Sequence, residues 1–101
     1  MDYGINTAGE ETVVDLRGRL TFNDHAEFRE LITEMVGSKK TRQVIELSSL
    51  EFVDSAGLGM LLIAREELSG ANAELVLRNP QGQVKRVLTV ARLAQIIKIE
   101  E

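Results

Sequence analysis

Residues 48–68 read SSLEFVDSAGLGMLLIAREEL. A short apolar run ends at Val53. Two polar residues, Asp54 and Ser55, follow it, and the chain then turns to apolar residues at helical spacing, with Leu58, Leu61, Leu62, Arg65 and Leu68 marking one stripe. The stretch reads as the end of a strand and a short connection that hand over to a helix. Aspartate and serine are favoured N-cap residues, each worth about 1 kcal/mol over alanine. A cap needs one side-chain oxygen, and this junction offers two. It also carries Gly57 and Gly59, and glycine costs about 1 kcal/mol per helix-interior position relative to alanine. That excess points to a role beyond capping.

Two chemical roles compete with the cap. A serine nucleophile at a strand-to-helix turn needs the pattern G-x-S-x-G and a base. Val53 stands where the first glycine belongs, and the only histidine, His25, sits at the start of another helix, where it reads as a capping or surface residue. The alternative is a hydroxyl that accepts a phosphate. A phosphoserine carries about −1.5 to −2 charges at neutral pH, and a helix N-terminus favours such charge. Small neighbours, Ala56 and Gly57, leave room for a kinase to reach Ser55, while Asp54 repels the added phosphate. Phosphorylation here would alter the surface sharply without unfolding the chain.

Outward from the junction, strands and helices alternate. A short edge strand is expected at Tyr3–Thr7. TVVDLRGRL places Val14, Leu16 and Leu20 on one face and Val13, Asp15 and Arg17 on the other. Phe28, Leu31, Ile32, Met35 and Val36 form the stripe of a first helix, with Asn23 or Asp24 as its cap, Glu27 completing a capping box and Gly37 as its stop. Lys39, Lys40 and Arg42 read as a solvated loop. QVIELSSLEFV reads as a strand with VIEL as its core, followed by a short connection to the junction. AELVLRN is a third buried strand. Asn79 is the expected cap of a third helix, with Pro80 at its first position and Val84, Val87, Leu88 and Ala91 as its stripe. AQIIKIEE closes the chain as a strand. The order β-β-α-β-α-β-α-β implies an opening hairpin and then parallel crossovers. The expected fold is α/β, a mixed four- to five-stranded sheet packed with three to four helices, in one domain over residues 1–101.

Composition bounds the chemistry. The chain has 101 residues, 44% hydrophobic and 28% charged, with a net charge of −4. This acidic balance disfavours nucleic acid and anionic membranes as general partners. With no cysteine and one histidine, thiolate chemistry and a multi-histidine metal site within one chain are excluded. No phosphate-cradling loop with lysine is present, and no cofactor or metal is expected. No apolar run is long enough to span a bilayer. The N-terminal MDYGINTAGEE is polar and acidic, unlike a signal peptide, so a cytoplasmic monomer is expected.

FVDSAGLGMLL resembles the D-S-x-G-L-G signature of STAS domains, the anti-sigma factor antagonists. The resemblance extends over the whole chain: the element order, the GRL after the second strand, VIELSSLEFVDSAGLG, and VKRVLTVARLAQIIKI at the end. It implies a binding module rather than an enzyme. It implies an anti-sigma factor that is itself a GHKL-type serine kinase, captured by the unphosphorylated form and released when Ser55 is phosphorylated. A PP2C-type phosphatase would restore the first state. Partner contacts would come from Asp54, Ser55, Ala56, Gly57, Leu58 and Gly59, and from the loop holding Thr21, Asn23 and Asp24. Many family members carry an aspartate where this chain has Thr21, and Asp24 could take its place. The alternative within the family is an unphosphorylated scaffold subunit of a larger signalling or lipid-transport assembly.

Overall fold

A computed structural model describes residues 1–101. The elements run β1 (Asp2–Ala8), β2 (Glu11–Leu20), α1 (His25–Gly37), β3 (Arg42–Val53), α2 (Ser55–Gly70), β4 (Glu74–Arg78), α3 (Gly82–Val90) and β5 (Lys98–Glu100). Short 3-10 turns sit at Phe22–Asp24 and Leu93–Gln95. The five strands lie side by side in chain order. β1 pairs antiparallel with β2, and every later pair is parallel. This is the expected mixed α/β sheet with three helices.

Right-handed crossovers that always step to the next strand in one direction put their helices on one face. The core follows that rule. Val14, Ile45 and Leu77 on the sheet join Phe28, Leu31 and Ile32 of α1, Leu61, Ala64 and Leu68 of α2, and Val84 and Leu88 of α3 in one apolar cluster. The opposite face has no helix, yet Val44 and Val76 on it are fully buried. They form a row with Val13 and Lys98, flanked by the rows Glu11–Arg42–Glu74 and Asp15–Glu46–Arg78–Glu100. Arg42 reaches across the valine row to Glu100 at 2.8 Å and also holds Glu11 at 2.8 Å. The ion pairs and their aliphatic stems therefore roof the valines.

Several local expectations need correction. Arg42 belongs to β3 and to this network, not to a solvated loop, and β3 runs unbroken to Val53, so the connection expected after VIEL is strand. α1 runs through Gly37, and Lys39 (φ +58°) takes the left-handed position beyond it. Asp24 precedes α1 without bonding its first turn, because its carboxylate turns back to Thr21, and no bond from Glu27 completes a box. α3 starts two residues later than Pro80, after Gln81; Asn79 instead turns the chain at φ +57° and donates its N–H to Glu100 O at 2.7 Å. Ala94 and Gln95 belong to a 3-10 turn, so β5 is only three residues long.

The α2 stripe is also rotated by about one residue. Gly57, Met60, Leu61, Ala64 and Leu68 are buried, whereas Leu58 and Leu62 are half-buried. GLGMLLIA is apolar nearly all round, so spacing alone does not choose a face. Close packing of Gly57 chooses it: a Cβ there would lie 2.3 Å from Leu20 O and 2.7 Å from Val53 Cγ2.

Candidate functional site

The C-terminal ends of β2 and β3 meet at one edge of the sheet, and two segments leave from there. One is the 21–24 turn and the other is the start of α2. Asp54 joins them. Its backbone N–H donates to Leu20 O at 3.2 Å. Its Oδ1 accepts from Gly57 N at 2.7 Å and caps α2, and its Oδ2 accepts from Phe22 N at 3.2 Å. Asp54 is thus the cap, and Ser55 is the first helical residue. The three-way choice for Ser55 narrows accordingly, since the capping work belongs to its neighbour.

Ser55 is exposed, and its hydroxyl makes no hydrogen bond within the protein. Ala56, Leu58 and Gly59 are half-buried, and Gly57 is buried. A Cβ on Gly59 would meet nothing within 4 Å, so this glycine faces open space one turn after Ser55. Gly57 thus answers a packing demand, and Gly59 does not.

On the facing turn, Asp24 Oδ2 accepts from Thr21 N (2.8 Å) and Thr21 Oγ1 (3.2 Å), while Oδ1 pairs with the Met1 amino group at 3.2 Å. Burial pushes the Asp24 carboxyl upward, but the Thr21 hydrogen bonds and the nearby ammonium outweigh it and leave it below the usual aspartate value. Thr21 and Asp24 are half-buried and locked together, while Asn23 is exposed. The candidate segments are therefore adjacent. Lys39 and Lys40 lie at the other end of the sheet, where Arg42 N meets Glu10 O.

Two residues of this region escape sequence reasoning. Phe22 is 65% exposed, and its ring stacks on His25 with centroids 5.2 Å apart. His25 Nδ1 lies 3.2 Å from Phe22 O, and no hydrogen bond joins it to Ser55. Gln83 pairs with the Val53 backbone like a strand residue, accepting from its N–H at 3.0 Å and donating to its C=O at 2.9 Å. It ties α3 to the residue just before Asp54. The only signal for Phe22 was an aromatic residue in a polar turn. Gln83 gave none, because its partner is backbone thirty residues away.

Comparison with known proteins gives the frame. The family model described as "Mlab, STAS domain" matches residues 3–99. A STAS-domain containing protein of Pseudomonas aeruginosa (strain UCBPP-PA14), PA14_20770, is 34% identical over 91 residues, covering 90% of this chain and 89% of that protein. The fold matches the crystal structure of TM1081 from Thermotoga maritima at TM-score 0.88 and 21% identity, over 98% of this chain and 86% of that one. It also matches the unphosphorylated anti-sigma factor antagonist SpoIIAA of Bacillus at TM-score 0.72 and 22% identity, over 99% and 87%. No helix is long and apolar enough to cross a membrane. By the family match and the Pseudomonas relative, this chain belongs to the STAS domain family.

Proposed function

We propose that this chain is an anti-sigma factor antagonist acting in the cytoplasm as one non-enzymatic domain, switched by phosphorylation of Ser55. The observation that carries the reading is the state of Ser55. Its hydroxyl is free and exposed at the first position of α2, beside an aspartate that already does the capping. The same fold is known for SpoIIAA in both unphosphorylated and phosphorylated forms, which supports the reading. The partner is an anti-sigma factor that is also a GHKL-type serine kinase, and a PP2C-type phosphatase reverses the modification. The kinase transfers the γ-phosphoryl group of ATP to Ser55 Oγ, with loss of the hydroxyl proton and release of ADP.

The physical switch is electrostatic. Asp54 is held by two backbone N–H groups and cannot swing away from a new phosphate without losing both. Two negative groups then share a surface that the partner must desolvate. Like-charge juxtaposition at an interface costs several kcal/mol, and each 1.4 kcal/mol is tenfold in affinity. The Thr21, Asn23 and Asp24 turn and Ala56 to Gly59 border the same contact.

The test is calorimetric titration of the kinase with wild type, Ser55→Ala and Ser55→Asp, with intact-mass measurement after incubation with ATP. Wild type gains one phosphoryl group and Ser55→Ala gains none. Ser55→Ala binds as wild type does, and Ser55→Asp binds at least tenfold more weakly. Equal affinity for all three removes the switch. A second reading, a scaffold subunit of a larger signalling or lipid-transport assembly, is favoured by Phe22. An aromatic side chain 65% exposed beside Asp54 suits a standing contact whatever the state of Ser55. In that case Phe22→Ala abolishes partner binding and Ser55→Asp leaves it unchanged.

A further inference from the structure

Not every apolar side chain of α2 and α3 is taken into the core. Leu58 of α2 and Val87, Val90 and Ala91 at the end of α3 line a shallow groove of about 420 Å³, with Gln83 and Arg86 completing it. Val90 is 84% exposed, the most exposed large apolar side chain in the chain. A contiguous apolar depression rimmed by polar groups marks a contact surface rather than a stray hydrophobe.

Charge says what kind of contact. The chain as a whole carries −4, but α3 and the turn after it, residues 81–97, contain Lys85, Arg86 and Arg92 and no aspartate or glutamate. Lys85 is paired with Glu101, whereas Arg86 and Arg92 have no carboxylate partner. Arg86 lies on the groove itself, whereas Arg92 lines a separate depression with Lys85, Leu88 and Glu101. A concave slot between two helices accepts a convex ridge, and apolar residues at i, i+3, i+4 and i+7 of a helix supply one. We propose that the groove between α2 and α3 docks an acidic amphipathic helix of a partner protein, its apolar ridge on Leu58, Val87 and Val90 and a carboxylate on Arg86. This goes beyond the Ser55 switch: apart from Leu58, which also borders the proposed kinase contact, the groove residues belong to α3 and its end, and none is phosphorylated or part of the Asp54 carboxylate hydrogen bonding.

The experiment is panning of a library of random 16-residue peptides displayed on phage against wild type, with Val90→Glu as the counter-selection target. Enriched sequences are expected to carry apolar residues at helical spacing with flanking Asp and Glu. A peptide synthesised from them is expected to shift the methyl resonances of Leu58, Val87 and Val90. Its affinity is expected to fall about tenfold or more in Arg86→Glu and about 100-fold in Val90→Glu. Exchanging its acids for lysines is expected to restore affinity for Arg86→Glu. Because Val90 is exposed, Val90→Glu should melt as wild type does, and the melt is recorded to check this. Equal enrichment on Val90→Glu, or enrichment of basic sequences, overturns the proposal. So does binding to phosphatidylglycerol vesicles, or a dimer in sedimentation equilibrium, that Val90→Glu abolishes. The Ser55→Asp titration with the kinase reads the switch separately, so either idea can fail alone.

Discussion

Gly57 and Gly59 stand two residues apart on one helix and answer different demands. A Cβ at 57 would collide with Leu20 O at 2.3 Å, and backbone cannot step aside as a flexible side chain can. Gly57→Ala should therefore cost about 1–3 kcal/mol or more through forced displacement of α2 from β2. Gly59 meets nothing within 4 Å and has ordinary helical backbone, so Gly59→Ala should gain about 0.5–1 kcal/mol. Its methyl group would project one turn after Ser55, so, if the proposed kinase contact holds, that binding should weaken even as stability rises. Urea denaturation beside calorimetric titration reads both signs. A Gly59→Ala protein that is more stable and binds as well as wild type would place Gly59 outside the contact. At this scale the sequence marked the right stretch but not the division of labour. It offered Asp54 and Ser55 as equal caps, since both are good N-cap residues. Only the bonds from Phe22 and Gly57 to Asp54 separate them.

The elements were legible wherever one face differed from the other. The stripe Phe28, Leu31, Ile32 and Met35 is buried as its spacing requires, and so are Val14, Leu16 and Leu20. Reading failed where tertiary contacts choose among equivalent options. α2 is apolar on several faces, and α3 begins where Gln83 can reach the Val53 backbone rather than at the favourable Asn79-Pro80 pair. A buried amide on β3 shows the same thing. The two N–H groups of Gln43 Nε2 are shared among Met35 O (3.0 Å), Ser38 Oγ (2.9 Å) and Lys40 O (3.0 Å), which fixes the turn from α1 into β3, while its Oε1 has no partner. Gln43→Leu keeps the volume but leaves Lys40 O without this donor inside the fold. The expected loss is about 1–3 kcal/mol, partly offset by removing the orphaned oxygen. A urea midpoint equal to that of wild type would mean that the turn is held by its backbone alone. Because Gln43 lies at the far end of the sheet from Ser55, affinity for the proposed kinase partner should not change.

Across the whole molecule, charge holds what helices do not cover. The helix-free face of the sheet is closed by Arg42, Glu11, Glu100 and Arg78, and the 21–24 turn by Asp24. Both settings shift carboxyl groups in the same direction. The Arg42 hydrogen bond, with Lys98 and Arg78 nearby, lowers Glu100 against a smaller opposing effect of burial, and Thr21 and the amino terminus lower Asp24 despite its burial. A carboxyl whose folded pKa lies below its unfolded value binds fewer protons when folded. Its contribution is fully present above the unfolded value, about 3.8 for aspartate and 4.5 for glutamate. It is lost as pH falls through the folded value. Stability should therefore be level from pH 7 to about 5 and should fall steeply below about 4. Arg42→Met keeps much of the apolar stem over Val44 and Val76 but removes the charge that lowers Glu100. Its stability should be lower at pH 7 and should depend less on pH between 5 and 3, so that the two curves converge in acid. Urea melts of wild type, Arg42→Met and Asp24→Asn at pH 7, 5, 4 and 3 make the comparison. Parallel curves for wild type and Arg42→Met would show that Arg42 holds the sheet face by packing alone, with its ion pairs contributing nothing to the fold.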